Sequence, residues 1–129
     1  EVHVPFQSNQ SKDVQPVQQI AGGFRRTLGD GDKMMLIEWT FEPGAMVPMH
    51  SHPHEQCGYV VAGEMKFTIE GKERSVPAGM GYSIPSNVPH SARFDAPCVL
   101  IDIFSPPRED YRASSGGAPS YLTGTMPKK

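Results

Sequence analysis

The sequence predicts one all-β domain, a barrel or sandwich of short antiparallel strands. Three observations predict it. Thirteen Gly and thirteen Pro in 129 residues are many for this length and favour tight turns over long helices. From Phe41 onward, turn clusters recur about every ten residues. No stretch carries a convincing apolar period of ~3.6 residues, the mark of an amphipathic helix. A chain of this size suits a single domain and can bury roughly two-thirds of its unfolded surface without a disulfide scaffold.

The elements follow in order. Residues 1–21, rich in Gln, Ser and Val and interrupted by Pro5 and Pro16, read as an extended arm with a strand near 14–20. Gly22-Gly23 marks a turn and Asp30-Gly31 a hairpin. Residues 34–41 form a strand that Glu42-Pro43-Gly44 stops. Strands are expected at 58–61, 64–69, 72–76, 81–84, 90–94 and 98–104. In 64–69 the apolar Met65, Phe67 and Ile69 alternate with Glu64, Lys66 and Thr68, the period of a half-buried strand. Pro106-Pro107 ends the barrel, 108–111 is one short helical turn, and 112–129 is a flexible tail. The barrel proper is therefore expected at 22–111.

Composition excludes several classes of function. The net charge is −2, so no basic excess draws the chain onto nucleic acid or anionic lipid. No apolar run approaches the ~20 residues of a membrane span. Cys57 and Cys98 form no CxxC, and free thiols in a reducing cytosol are the plainer expectation. A cytoplasmic location is expected, with a secretory route left open because the sequence begins at Glu1 rather than Met.

Four of the five histidines, His50, His52, His54 and His90, flank the central turns. Strand side chains alternate between faces, so His50, His52 and Gln56 share a direction and Glu55 points away, although Pro53 disturbs the alternation. His90 must arrive from another strand. Any one of these residues is more simply a loop histidine; the group is harder to dismiss.

The spacing resembles the double motif of the cupin family. Gly44, His50-Ser51-His52, Gln56 and Gly63 match its first half, and Gly79, Pro85, Asn87 and His90 its second. The resemblance implies a single-domain double-stranded β-helix, or jelly-roll barrel. It also implies one divalent transition metal held by His50, His52, Gln56 and His90. Nickel, zinc, iron and manganese all suit nitrogen and oxygen ligands. Two positions depart from the family. Asn87 replaces a glycine, and Asn also tolerates positive φ. Gln56 replaces a glutamate, so a bound ion would keep its full double charge and act as a stronger Lewis acid. The missing carboxylate argues weakly against dioxygen chemistry.

Two further residues invite roles. Asp102 interrupts the apolar run Cys-Val-Leu-Ile-Asp-Ile-Phe and shares a face with Leu100 and Phe104. Either this is an edge strand with Asp102 in water, which the strand alone favours, or the carboxyl lines the barrel with a raised pKa suited to acid–base work. Arg108 is either a surface partner of Glu109 or Asp110 or a fork for a substrate carboxylate.

His-Ser-His-Pro-His-Glu-Gln at 50–56 and Asp-Ile-Phe-Ser-Pro-Pro-Arg-Glu-Asp-Tyr at 102–111 resemble the pectin degradation protein KdgF group of cupins. That group converts 4,5-unsaturated uronate monosaccharides, from pectin or alginate breakdown, to the linear ketone. The resemblance implies catalytic roles for Asp102 and Arg108 and substrate contacts for Phe104 and Arg108. It also implies a small anionic sugar as partner, and a homodimer made by swapping the strand near 14–20. Two other readings stay open: an iron-dependent dioxygenase of a small substrate, and a non-catalytic module that binds a small acid.

Overall fold

A computed structural model describes residues 5–113. A 3₁₀ turn at Ser11–Asp13 leads into ten strands among the described residues: β1 (Val17–Ile20), β2 (Gly23–Asp30), β3 (Met35–Phe41), β4 (Met46–His50), β5 (Glu55–Ala62), β6 (Glu64–Ile69), β7 (Lys72–Pro77), β8 (Gly81–Ile84), β9 (His90–Arg93) and β10 (Cys98–Ser105). A short helix, α1 (Glu109–Ala113), follows. The strands form a six-stranded sheet in the order β1-β2-β3-β10-β5-β8 and a four-stranded sheet in the order β4-β9-β6-β7. All pairings are antiparallel. This is the all-β jelly roll that the turns and motifs predict.

Alternation fills the space between the sheets. On β3, Met35, Ile37, Trp39 and Phe41 are buried while the residues between them are half-exposed. Met65, Phe67 and Ile69 do the same on β6. Each such side chain, fully buried, stabilises the fold by about 1.5–3 kcal/mol. Phe41 stacks on Trp39 at 5.5 Å and on Phe94 at 3.9 Å, joining β3 to the residue that follows β9.

Three differences from expectation bear on the site. First, β1 pairs with β2 of its own chain, so the sheet begins at Val17 rather than at Gly22. Second, β10 is no edge strand: it lies between β3 and β5, which puts Asp102 inside the barrel. Third, β2 and β4 are full strands where the sequence marks only turns and histidines. The tail expected from 112 lies outside the described residues, apart from the end of α1. Cys57 is exposed and Cys98 buried, and both are free thiols. No helix among the described residues is long and apolar enough to cross a membrane.

Candidate metal and substrate site

His50 ends β4 and faces His90, the first residue of β9, across the ladder; their ring centres are 4.3 Å apart. His52 comes from the bend that follows. Its ring centre lies 5.5 Å from that of His50 and 5.1 Å from that of His90. One ring nitrogen of each histidine lies within 4.8 Å of the others, and all three residues are buried. His50, His52 and Gln56 do not share one unbroken strand, as simple alternation would have it. β4 stops at His50 and β5 starts at Glu55, so the chain bends at Pro53 between them. The N–H of Asn87 donates to the carbonyl of His52 at 2.7 Å and ties the two motif halves together. Asn87 adopts φ 65°, as its place in a glycine position requires.

The hydrogen bonds fix which nitrogens face inward. Nδ1 of His50 lies 2.8 Å from the Pro48 carbonyl, Nδ1 of His52 3.0 Å from the His54 carbonyl, and Nδ1 of His90 2.8 Å from the Val88 carbonyl. A carbonyl only accepts, so each Nδ1 carries the hydrogen and each Nε2 offers a lone pair. Burial, with the neighbouring histidines and Arg108, pushes His50 and His52 down to about 3. Burial lowers His90 as well. The rings are therefore neutral, as metal ligands must be.

Gln56, on β5, adjoins this cluster through His52. It sits diagonally across the ladder from Asp102, whose cross-strand partner is Gly58, and it hydrogen-bonds the Asp102 carboxylate. Since a carboxylate accepts, the Gln56 NH₂ faces Asp102 and Oε1 faces Nε2 of His52 at 3.1 Å. Two acceptors thus confront each other, and the buried Nε2 of His90 has no hydrogen-bond partner. A cation would satisfy all three, so the residues fit a divalent metal. The arrangement also explains the glutamine. A glutamate there would set two carboxylates side by side with no hydrogen between them. Glu55 is exposed and points away, as alternation requires.

Asp102 is 5% exposed. Burial raises its pKa to about 6, against the opposing hydrogen bonds from Tyr82 and Gln56 and the positive charge of Arg108. The Tyr82 hydroxyl donates to it at 2.7 Å. Tyr82, Gly58 and Asp102 occupy one row across β8, β5 and β10. Tyr82 reaches across because Gly58 has no side chain. A Cβ there would lie 2.1 Å from Cζ of Tyr82 and 2.5 Å from Oδ1 of Asp102. The sequence reading missed both Tyr82 and Gly58. Their only signal is register, which pairs them with Asp102 once the strand order is known.

Arg108 is buried rather than at the surface, 1% exposed, yet it does pair with Asp110. Nε and Nη2 reach the two carboxylate oxygens at 3.2 and 3.1 Å. The guanidinium carbon lies 4.8 Å from the centre of the Phe104 ring and 4.2 Å from that of Tyr111. Phe104 in turn packs against His52 at 5.8 Å. His50, His52, Gln56, His90, Asp102 and Arg108 line one cavity with aromatic walls. It contains about 560 Å³ of space free of protein atoms, counting the solvent at its mouth. His54 supplies its carbonyl to His52, while its ring lies 6.4 Å from Phe104 and outside the three-histidine cluster.

The Cupin domain family matches residues 37–104, a stretch that begins within β3 and ends within β10. The chain is a cupin. Over 95 residues this cupin is 37% identical to the pectin degradation protein KdgF of Dickeya dadantii (strain 3937), covering 65% of this chain and 86% of that protein. Among solved structures, KdgF from Halomonas sp. superposes with a TM-score of 0.77 at 28% identity, covering 81% of this chain and 99% of that one. An RmlC-like cupin from Shewanella frigidimarina superposes with a TM-score of 0.78 at 31% identity, covering 83% and 96%. Within its family this cupin thus resembles the KdgF group in sequence and in fold.

Proposed function

We propose that this cupin opens 4,5-unsaturated uronate monosaccharides to their linear ketone form. The observation that carries the proposal is the placement of a buried carboxyl, Asp102, beside a three-histidine cluster in a cavity walled by Arg108 and Phe104. The kinship to KdgF, a pectin degradation protein, supplies the substrate class. His50, His52 and His90, with Oε1 of Gln56, would hold the divalent ion. When bound, that ion supplies Lewis acidity toward sugar oxygens.

The chain's own residues do the rest. Arg108, oriented by Asp110 and by two aromatic faces, holds the uronate carboxylate. Phe104 packs against the ring and keeps water out. The reaction is an isomerisation. The hemiacetal hydroxyl loses a proton, the bond from that carbon to the ring oxygen breaks, and the enol carbon gains a proton. An aldehyde and a ketone result. Asp102 moves the proton, with Tyr82 and Gln56 holding its carboxylate in place.

Incubation of the metal-loaded protein with unsaturated galacturonate should abolish the enol absorbance. The rate should be the same with and without oxygen, and a chelator should stop it. Persistence of the absorbance with fully loaded protein would refute the reading. An absolute need for oxygen would point to a dioxygenase instead. The role of His90 is tested separately: His90→Ala should weaken metal binding by more than ~100-fold, beyond the cost of losing an outer-shell partner. Elemental analysis after dialysis reads it directly. Wild-type metal content in that variant would remove His90 from the ligand set.

A further inference from the structure

Two buried polar residues on the N-terminal hairpin have no part in the chemistry above. Gln19 on β1 and Arg25 on β2 are each 2% exposed. The Arg25 Nε–H donates to Oε1 of Gln19. Its Nη1 donates to the carbonyl of Tyr111 at 3.4 Å, and its guanidinium carbon lies 4.4 Å from the centre of the Tyr111 ring. These contacts join the hairpin to α1. Gln19 also lines the cavity, as do Tyr111 and Arg108.

Two features go beyond what a structural staple needs. The Nε of an arginine can only donate, so the Gln19 amide is fixed with its oxygen toward Arg25 and its NH₂ turned away. That NH₂ is buried and has no hydrogen-bond partner. Arg25, for its part, is a buried cation with no carboxylate hydrogen-bonded to it among the described residues, and its Nη2 has no partner. Arg108 places a second guanidinium against the same Tyr111 ring, while Asp110 pairs with Arg108. Buried charges and donors are ordinarily met by a partner. This corner of the cavity therefore carries an excess of positive charge and an open donor.

Its place in the cavity suits one end of an elongated acid. From the histidines the wall runs from His52 to Phe104 (5.8 Å), from Phe104 to Tyr111 (5.9 Å), and then to Arg25 and Gln19. Two aromatic rings thus separate the open donor from the three-histidine cluster.

We propose that Gln19 is a substrate-binding residue whose NH₂ donates to the ligand carboxylate shared with Arg108. Arg25 is a positioning residue that aims this amide and adds positive charge. The inference rests on the reading of the cavity as a sugar-acid site and adds a recognition group to it. The amide faces the acid because Arg25 holds its oxygen; a neutral sugar at the same place gains much less.

The test uses Gln19→Glu and Gln19→Met in the metal-loaded full chain. The carboxylate introduced by Gln19→Glu would pair with Arg25, so that variant should melt at or above the wild-type temperature while repelling an acidic ligand. The thioether introduced by Gln19→Met has similar length and no donor, which guards against a folding defect in the first variant. With unsaturated galacturonate, KM should rise by about 10- to 100-fold in both and kcat should stay within about threefold. Galacturonate, a saturated acid, should raise the melting temperature of the wild type and not of Gln19→Glu; neutral galactose should affect both alike. Turnover with unchanged KM in both variants would overturn the subsite and leave sugar opening intact. A wild type that galacturonate stabilises without turnover, and a Gln19→Glu variant that it does not, would keep the subsite and overturn sugar opening. Absence of both turnover and stabilisation in the wild type would overturn both.

Discussion

Asp102→Asn is expected to slow uronate turnover by about 10²- to 10⁴-fold, the usual contribution of a positioned proton donor or acceptor. Metal content and melting temperature should stay near the wild type. The geometry explains the separation. Asp102 accepts one hydrogen bond from Tyr82 and another from the NH₂ of Gln56. An asparagine can keep its oxygen toward Gln56 and turn its NH₂ to Tyr82, whose hydroxyl rotates from donor to acceptor. Gln56 then still presents Oε1 to His52. What is lost is the exchangeable proton. The measurement is kcat beside elemental analysis and a melting curve; wild-type kcat in this variant would dismiss Asp102 as the proton carrier.

Gly58→Ala should have the largest effect on stability of any single methyl addition near the site. The new Cβ would meet Cζ of Tyr82 at 2.1 Å, the Tyr82 hydroxyl at 2.3 Å and Oδ1 of Asp102 at 2.5 Å. These atoms are held by a buried hydrogen bond and by strands on both sides, so they cannot give way without repacking. Overpacking of this kind costs about 1–3 kcal/mol, and a buried carboxylate that loses its donor adds a similar amount. Denaturant unfolding should therefore show a loss of about 2–6 kcal/mol. Turnover should fall with it, because Asp102 loses the group that holds it. The double variant Gly58→Ala/Tyr82→Ala should be less destabilised than the sum of its two single variants, since the clash exists only when both side chains are present. Full additivity would show that the slot at Gly58 does not serve Tyr82.

Much of this was legible in the sequence, for reasons that differ element by element. β6 and β8 are found at their expected bounds because turns enclose them and, in β6, because alternation is unbroken. β4 was hidden because Pro48 sits inside it, and proline inside a run argues against a strand. β2 was hidden because its inward position carries Arg25, so the buried face does not read as apolar. The three histidines and Gln56 were visible through their spacing. Asp102 was visible as a charge in an apolar run, but its surroundings were not. Whether that run forms an edge or a centre depends on which strands flank it, and local sequence does not encode strand order. Tyr82, Gly58 and Arg25 were invisible for the same reason: each acquires a partner through pairing or packing between segments far apart in the chain, while Gln19 meets Arg25 only across the β1–β2 hairpin, whose register the sequence did not reveal.

The residues gathered at the site come from both layers of the barrel. His50 and His90 sit on the four-stranded sheet, whereas Gln56 and Asp102 belong to the six-stranded one. The gap between the layers thus acts as a caliper for the donor atoms, and the aromatic packing that spans it, such as the Phe41–Phe94 stack, sets its jaws. Spacing of these donors and tightness of the aromatic filling are one adjustment, so substitutions that respace the filling are expected to shift the pincer without touching it.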